Sequence, residues 1–262
     1  MSQKPKLGQN FLRDQTAIRR IVAALGDISA QTVVEIGPGQ GAITGQLAAQ
    51  AGRVIALELD RELAPRLHAF LGSDRVTVLE QDVLQFDFAS AAAEARQKLA
   101  VVGNLPYYIT SPILLRLAES AASLNRAVLM VQREVADRIV ADPGSRDYGL
   151  LTVTVQMYGP VERLFTLPPG AFSPPPEVHS TVFRWRFAPR FNELGVEEAP
   201  FLSFARQVFA LKRKTLANNL RAASYSPDTI QTALCNAGIP PQARAEELSI
   251  EALARLFLEL RK

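Results

Sequence analysis

The stretch TVVEIGPGQGA, residues 32–42, decides the fold of this chain. Its first five residues are β-branched or apolar apart from one glutamate, which predicts a buried strand. The three glycines that follow predict a tight turn into a helix, where the backbone can approach a ligand without obstruction by Cβ atoms. Gly37, Gly39 and Ala42 also satisfy a relaxed dinucleotide fingerprint, so this stretch alone leaves a nicotinamide cofactor open.

The same alternation of apolar runs and amphipathic stretches continues along the chain. The apolar runs predict strands at 32–36, 53–58, 75–80, 99–104, 126–132 and 179–187. Stretches with helical periodicity begin after residues 14, 42, 61 and 112. This pattern predicts an α/β doubly wound fold with a mostly parallel sheet, in which ligands bind at the carboxyl ends of the strands. From about residue 197 only short helices are predicted. We therefore expect a ligand-binding domain at 1–190 and a small all-helical domain at 191–262.

Composition excludes several classes of protein. Hydrophobic residues make up 48% and charged residues 21% of the 262, which is ordinary for a globular chain with a substantial core. One cysteine cannot form an internal disulfide, and two distant histidines make no metal-site spacing, so we expect no metal. No signal peptide or membrane-spanning apolar run is evident, which predicts a cytoplasmic protein with no membrane partner. Without a heptad pattern we expect a monomer.

Positive charge is concentrated at the two ends of the sequence. The first twenty residues hold five Lys and Arg against one acidic residue, and residues 184–262 hold 12 against 8. Phosphate contacts are made mainly by Lys and Arg, so this distribution suggests a polyanionic partner bound by both ends. Solvated helix faces would explain the same charges without any partner.

Two acidic residues follow the next strands at positions that suit a nucleoside. Glu58 ends the second strand, 21 residues after Gly37, where a carboxylate can accept hydrogen bonds from both ribose hydroxyls. Asp82 follows the third strand, where it can accept a hydrogen bond from an adenine amino group, although an aspartate there can equally be a helix cap. Glu58 also suits a dinucleotide, whereas Asp82 moves the balance toward S-adenosylmethionine, and the end of the fourth strand decides between the two cofactors.

The fourth strand ends in Asn104-Leu105-Pro106-Tyr107, which resembles the catalytic motif of methyltransferases that act on the amino group of adenine. An exocyclic amine is a poor nucleophile because its lone pair is delocalised into the ring. If the Asn104 side-chain oxygen and the Leu105 carbonyl each accept one N–H, the nitrogen becomes tetrahedral and its lone pair points at the sulfonium methyl. Pro106 stiffens the turn and Tyr107 can stack on the extruded base. An ordinary strand-end turn is the alternative.

With these residues in place, the chain resembles the ribosomal RNA adenine N6-dimethyltransferase family over nearly its whole length. Gly8-Gln9-Asn10-Phe11-Leu12 is similar to the family's N-terminal signature. The resemblance implies that S-adenosylmethionine is bound by Asn10, Leu12, Gly37, Glu58, Asp82 and Asn104, and that it leaves as S-adenosylhomocysteine. It also implies a Rossmann-like class I fold with a seven-stranded sheet.

Two later segments extend the resemblance. Residues 172–180, FSPPPEVHS, resemble the family's Phe-x-Pro-x-Pro-x-Val-x-Ser segment, which implies that Phe172 stacks on the target adenine opposite Tyr107. A core aromatic is the alternative for Phe172. Residues 209–216, FALKRKTL, resemble a basic helical segment of the family's C-terminal domain, which implies that Lys212, Arg213 and Lys214 contact RNA phosphates.

Within the family, the resemblance is strongest to enzymes that dimethylate two adjacent adenines in a hairpin loop near the 3′ end of 16S rRNA. The implied partner is 16S rRNA within the small ribosomal subunit or its precursor, with a role in subunit biogenesis. Unstacked loop bases suit such an enzyme because they cost less to extrude than paired ones. Large-subunit methyltransferases of the macrolide-resistance type share the N-terminal signature, the glycine loop and the Asn-Leu-Pro-Tyr motif, whereas the full Pro-rich segment and the basic segment favour the small-subunit enzymes. A non-enzymatic assembly or transcription factor on the same fold is a further alternative.

Overall fold

The computed structural model describes residues 10–71 and 74–262. The chain forms two compact units, of which the first runs up to Ala136 and includes Pro160–Ala188. The second unit combines Asp137–Gly159 with Pro189–Lys262. Residues 137–159 thus join the C-terminal helices, although the sequence assigned them to the first domain. The division at residue 190 into functional domains stays a prediction.

The first unit is built on a seven-stranded sheet with strand order β4-β3-β2-β5-β6-β9-β7. Its strands are β2 (Thr32–Ile36), β3 (Arg53–Glu58), β4 (Val76–Glu80), β5 (Leu99–Asn104), β6 (Leu124–Gln132), β7 (Val161–Leu167) and β9 (Ser180–Arg186). The first five are mutually parallel, and β9 is antiparallel to both β6 and β7. The short strands β1 (Phe11–Leu12) and β8 (Phe172–Ser173) form a separate antiparallel pair. The predicted α/β doubly wound fold and seven-stranded, mostly parallel sheet are confirmed.

Helices cover the sheet because each presents an apolar stripe to it. The helices of the first unit are α1 (Gln15–Ala24), α2 (Ala42–Gln50), α3 (Leu63–Leu71), α4 (Phe88–Ala95) and α5 (Thr110–Glu119), and α6 (Arg133–Ile139) runs from the first unit into the second. Asp14 caps α1 by accepting hydrogen bonds from the amides of Thr16 and Ala17. Ile18 and Val22 of this helix are buried in a core cluster with Val102 of β5.

The second unit is helical in its described part. It contains α7 (Leu150–Met157), α8 (Glu198–Val208), α9 (Leu216–Ala222), α10 (Pro227–Asn236) and α11 (Ile250–Glu259). Phe201, Phe204 and Phe257 pack with ring centroids 5.5 to 6.1 Å apart and join α8 to α11. No helix among the described residues has the length and hydrophobicity needed to cross a membrane.

Candidate active site

A cavity opens where β2, β3, β4 and β5 end, at the edge of the sheet that the sequence indicated. It brings together nearly all the residues to which the sequence assigned the cofactor and the chemistry. The lining includes Asn10, Leu12, Gly37, Glu58, Asp82, Asn104, Leu105, Pro106 and Tyr107. Parallel strands direct their carboxyl ends to one edge, which is why residues from Gly37 to Tyr107, 70 positions apart in the sequence, meet here.

The glycine loop between β2 and α2 leaves room that a side chain would fill. Gly39 has φ +58°, a left-handed conformation that side chains rarely adopt, and a Cβ built on it would lie 2.9 Å from the ring of Phe11. Phe11 also lines the cavity. The loop therefore forms a close-fitting wall, as a cofactor held against the backbone requires.

Glu58 connects the glycine loop to the end of β3. Its Oε2 accepts a hydrogen bond of 2.9 Å from the amide of Gly39, and its Oε1 accepts one of 2.9 Å from the amide of Asp60. The side chain is buried, and burial raises the pKa of Glu58, partly offset by these backbone hydrogen bonds. Each carboxylate oxygen keeps a second lone pair for a ribose hydroxyl. The carboxylate is thus held rigidly in the wall of the cavity.

Asp82 takes the capping role that the sequence allowed and is also placed to bind a ligand. Its Oδ1 accepts a hydrogen bond of 2.9 Å from the amide of Leu84 and so caps the short 3-10 helix Val83–Gln85. The residue also lines the cavity. Capping uses one oxygen, which leaves the other to accept a hydrogen bond from an adenine amino group.

Asn104 is oriented by the N-terminal signature segment. Its Nδ2 donates a hydrogen bond of 2.9 Å to the backbone carbonyl of Asn10, across 94 positions of sequence. The side-chain amide is thereby fixed with one of its two N–H donors occupied. Its Oδ1 accepts no hydrogen bond from the part of the chain that the structure describes, so it can accept one from a substrate amine. Leu105 follows, 1% exposed, with its amide donating to the carbonyl of Met130.

The turn after Asn104 is held at several points. The carbonyl of Pro106 accepts hydrogen bonds from the amide of Ile109 and from the hydroxyl of Thr110, at 3.2 and 3.0 Å. The hydroxyl of Tyr107 lies 2.7 Å from Oγ of Ser180, the first residue of β9, and burial raises the pKa of this tyrosine. Anchoring at both ends fixes the ring of Tyr107 in the cavity wall.

Phe172 does not line this cavity. It pairs with Leu12 in the β1–β8 ladder, is 4% exposed, and belongs to the core cluster beneath α1. The ladder does join two of the segments that carried the family resemblance. Phe172 is thus buried like a core aromatic, which the sequence allowed as an alternative. Its stacking on the target adenine stays a prediction, and the ring would have to become accessible for it.

The basic segment Lys212-Arg213-Lys214 is not helical as the sequence predicted. It lies in the turn between α8 and α9, where Arg213 has a left-handed backbone with φ 62°. The buried side chain of Asn219 accepts a hydrogen bond from the Leu211 amide at 2.7 Å and donates to the Leu211 carbonyl at 3.3 Å, which favours the turn over a continued helix. All three basic side chains are exposed, and none forms an ion pair with a described residue.

Glu35 and Tyr108 are among the cavity residues to which the sequence assigned no role. Glu35 is 1% exposed in β2 and lines the cavity, and burial raises its pKa to about 7. Tyr108, next to Tyr107, lines the cavity with 60% of its surface exposed. A glutamate inside an otherwise apolar strand was the available signal for Glu35, whereas nothing in the sequence indicated which of the two tyrosines faces solvent.

The strands of this doubly wound sheet end in a glycine loop, two carboxylates and an Asn-Leu-Pro-Tyr turn. This combination defines an S-adenosylmethionine-dependent methyltransferase of the Rossmann-like class. The sequence model of the family described as ribosomal RNA adenine dimethylase matches residues 1–262. This chain therefore belongs to the ribosomal RNA adenine dimethylase family.

Two relatives and one solved structure show how far the similarity extends. The chain is 62% identical over 258 residues to Ribosomal RNA small subunit methyltransferase A of Acidobacterium capsulatum, covering 98% of this chain and 91% of the relative. It is 50% identical to the protein of the same name from Koribacter versatilis, covering 100% and 95% of the two chains. The crystal structure of the 23S rRNA methyltransferase ErmE matches with a TM-score of 0.75 at 28% identity, over 97% of this chain and 100% of that one.

Proposed function

We propose that the chain transfers methyl groups from S-adenosylmethionine to N6 of two adjacent adenines in a hairpin loop near the 3′ end of 16S rRNA. The observation that carries the chemistry is the orientation of Asn104. Its amide donor is held by the Asn10 carbonyl, which leaves Oδ1 as an acceptor in the same cavity as Glu58 and Asp82. An acceptor at this position is what the poorly nucleophilic amine of adenine needs.

In the proposed step the amine nitrogen attacks the methyl carbon of the sulfonium. The nitrogen–carbon bond forms as the carbon–sulfur bond breaks, S-adenosylhomocysteine leaves as a neutral thioether, and the amine proton is lost to water. Asn104 and the carbonyl of Leu105 orient the amine, Pro106 fixes the turn, and Tyr107 stacks on the base. Because the leaving group is already good, positioning and electrostatics supply the rate enhancement and no strong general base is needed.

The small ribosomal subunit is the favoured substrate because of the sequence relationships. Two relatives named for the small subunit share 62% and 50% of their aligned residues with this chain, whereas ErmE, named for 23S rRNA, shares 28%. The macrolide-resistance alternative is therefore not favoured. The intact Asn104 to Tyr107 turn argues for an enzyme over a non-enzymatic factor, although an enzyme that binds immature subunits could also delay their maturation.

The remaining assignments belong to the same proposal. The residues that bind the cofactor are Asn10, Leu12, Gly37, Glu58, Asp82 and Asn104. The exposed side chains of Lys212, Arg213 and Lys214 contact rRNA phosphates. A ribosomal substrate places the protein in the cytoplasm. The predicted monomeric state would be checked by light scattering on the purified protein.

The decisive experiment is methyl transfer from labelled S-adenosylmethionine to undermethylated small subunits and, separately, to large subunits, with mapping of the modified base. We expect dimethyladenine in 16S rRNA only. Asn104→Ala should lower kcat by about 100-fold or more, since it removes a group that orients the nucleophile, while Asn192→Ala, at an exposed asparagine outside the cavity, should retain full activity. Label confined to large subunits, or full activity of Asn104→Ala, would refute the proposal.

A further inference from the structure

The two consecutive tyrosines of the catalytic turn have opposite environments. Both lie in the 3-10 helix Tyr107–Ile109, in which successive side chains point about 120° apart. Tyr107 is anchored through its hydroxyl to Ser180, whereas Tyr108 is 60% exposed and makes no hydrogen bond with the residues that the structure describes. Both line the same cavity. Tyr108 therefore presents a large, unanchored aromatic face at the mouth of the cavity.

The backbone beneath this ring is rigid. Pro106 restricts the turn, its carbonyl accepts hydrogen bonds from Ile109 and Thr110, and α5 continues directly into the core through Ile113, which is 0% exposed. The ring of Tyr108 is thus freely accessible on a fixed support. An exposed aromatic ring on a rigid element is a suitable stacking surface because few degrees of freedom are lost when it binds a planar partner.

We propose that Tyr108 stacks on the base next to the target adenine and holds the RNA strand at the mouth of the cavity. This inference rests on the proposed function, in which a target adenine is extruded from a loop. Extrusion removes the stacking partner of the adjoining base and brings that base to the rim of the pocket. An aromatic side chain can replace the lost stacking, as it does in proteins that bind single strands. Because the proposed substrate has two adjacent adenines, the adjoining base is itself the other target.

Tyr108 is a positioning residue in this scheme, since it touches neither the reacting nitrogen nor the methyl group. Removal of its ring should weaken productive RNA binding and leave cofactor binding unchanged. The effect should appear in KM for the subunit and not in kcat, because stacking is equally present before and during methyl transfer.

The test is a double-mutant cycle between the protein and the RNA. The substrates are small subunits reconstituted with 16S rRNA that carries either both adenines or one adenine beside an abasic site. The proteins are wild type, Tyr108→Ala, Tyr108→Phe and, as a matched control, Leu115→Ala, which removes a 41% exposed apolar side chain outside the cavity. The first methyl transfer is measured at saturating S-adenosylmethionine, and cofactor affinity is measured by calorimetry.

We expect Tyr108→Ala to raise KM for the intact substrate roughly 5- to 150-fold, the range for stacking of one base on an aromatic side chain. Tyr108→Phe, which keeps the ring, should have a KM close to that of wild type, and so should Leu115→Ala. The abasic substrate should raise KM for wild type similarly and add no further loss to Tyr108→Ala.

Three results would each overturn the inference. The KM increases caused by Tyr108→Ala and by the abasic site could add independently, Tyr108→Ala could leave KM unchanged, or Tyr108→Ala could bind S-adenosylmethionine more weakly than wild type. The proposed function would survive all three. If wild type itself fails to methylate small subunits carrying both adenines, the proposed function is what fails.

Discussion

At the scale of single residues, the site depends on polar groups whose partners come from distant parts of the chain. The Asn10 carbonyl orients Asn104, Gly39 donates to Glu58, and Ser180 anchors Tyr107. Residue type and position at the end of a strand were enough to predict that Glu58 and Asn104 lie together in the cavity, where both are found. Their partners could not be predicted, because a hydrogen bond across 94 positions depends on the packing of the N-terminal segment and not on any local pattern.

Glu35 gives a testable pH dependence of stability. Burial raises its pKa from 4.5 to about 7, so the folded protein binds a proton that the unfolded chain has released between these values. Stability should therefore fall as pH rises from about 4.5 to 7, by about 3 kcal/mol at roughly 1.4 kcal/mol per pKa unit. Glu35→Gln cannot ionise, so its stability relative to wild type should improve over this range.

Urea unfolding at pH 5 and pH 8 would measure this difference. Glu177→Gln, at an exposed glutamate, is the control and should follow the pH dependence of wild type. A Glu35→Gln variant whose stability keeps a constant offset from wild type at both pH values would show that Glu35 does not titrate in this range.

At the scale of elements, most strands of the sheet were predictable and the edge strand β7 was not. The runs at 32–36, 53–58 and 99–104 form strands with those bounds, because each is apolar enough to be buried on both faces of a parallel sheet. Strand β7 was missed, since as an edge strand most of its residues are partly or fully exposed and it lacks an apolar run. Helix α7 was missed because its sequence, LLTVTVQM, is rich in β-branched residues.

The turn between α8 and α9 is the element whose prediction was wrong, and its structure assigns a specific role to Asn219. This side chain is 2% exposed and hydrogen bonds to both backbone groups of Leu211. Asn219→Ala should lower the free energy of unfolding by about 1 to 3 kcal/mol, because it removes the two hydrogen bonds to the backbone of Leu211, each of which contributes about 0.5 to 1.5 kcal/mol. Asn218→Ala removes an exposed side chain that accepts a hydrogen bond from Arg221, and it should change the free energy of unfolding by less than about 0.5 kcal/mol.

Chemical denaturation of the two variants side by side would make this comparison. Equal and small effects would mean that Thr215, which caps α9 through the amide of Asn218, maintains the turn without Asn219.

At the scale of the whole molecule, the sequence predicted the fold class and the position of the cavity together because both follow from one rule. Parallel strands end at one edge, so polar residues placed after β3, β4 and β5 must meet there. The same rule places no constraint on residues outside the sheet. For this reason the burial of Phe172 in the core and the exposure of Tyr108 required the three-dimensional structure.

The basic turn Lys212-Arg213-Lys214 carries the last prediction, which concerns binding of the whole protein to the ribosomal subunit. Three exposed cations that contact phosphates would release counterions on binding, so each should add about 0.7 to 0.9 to the slope of log affinity against log salt. Replacement of all three by Gln should therefore reduce the slope by about 2 to 3 between 50 and 200 mM salt.

The control replaces Arg206, Arg244 and Arg255, also exposed in the second unit, with Gln and changes the net charge equally. A larger loss of slope for the turn variant would assign it to the RNA interface, whereas equal losses would mean that only the overall charge matters and would refute the assignment.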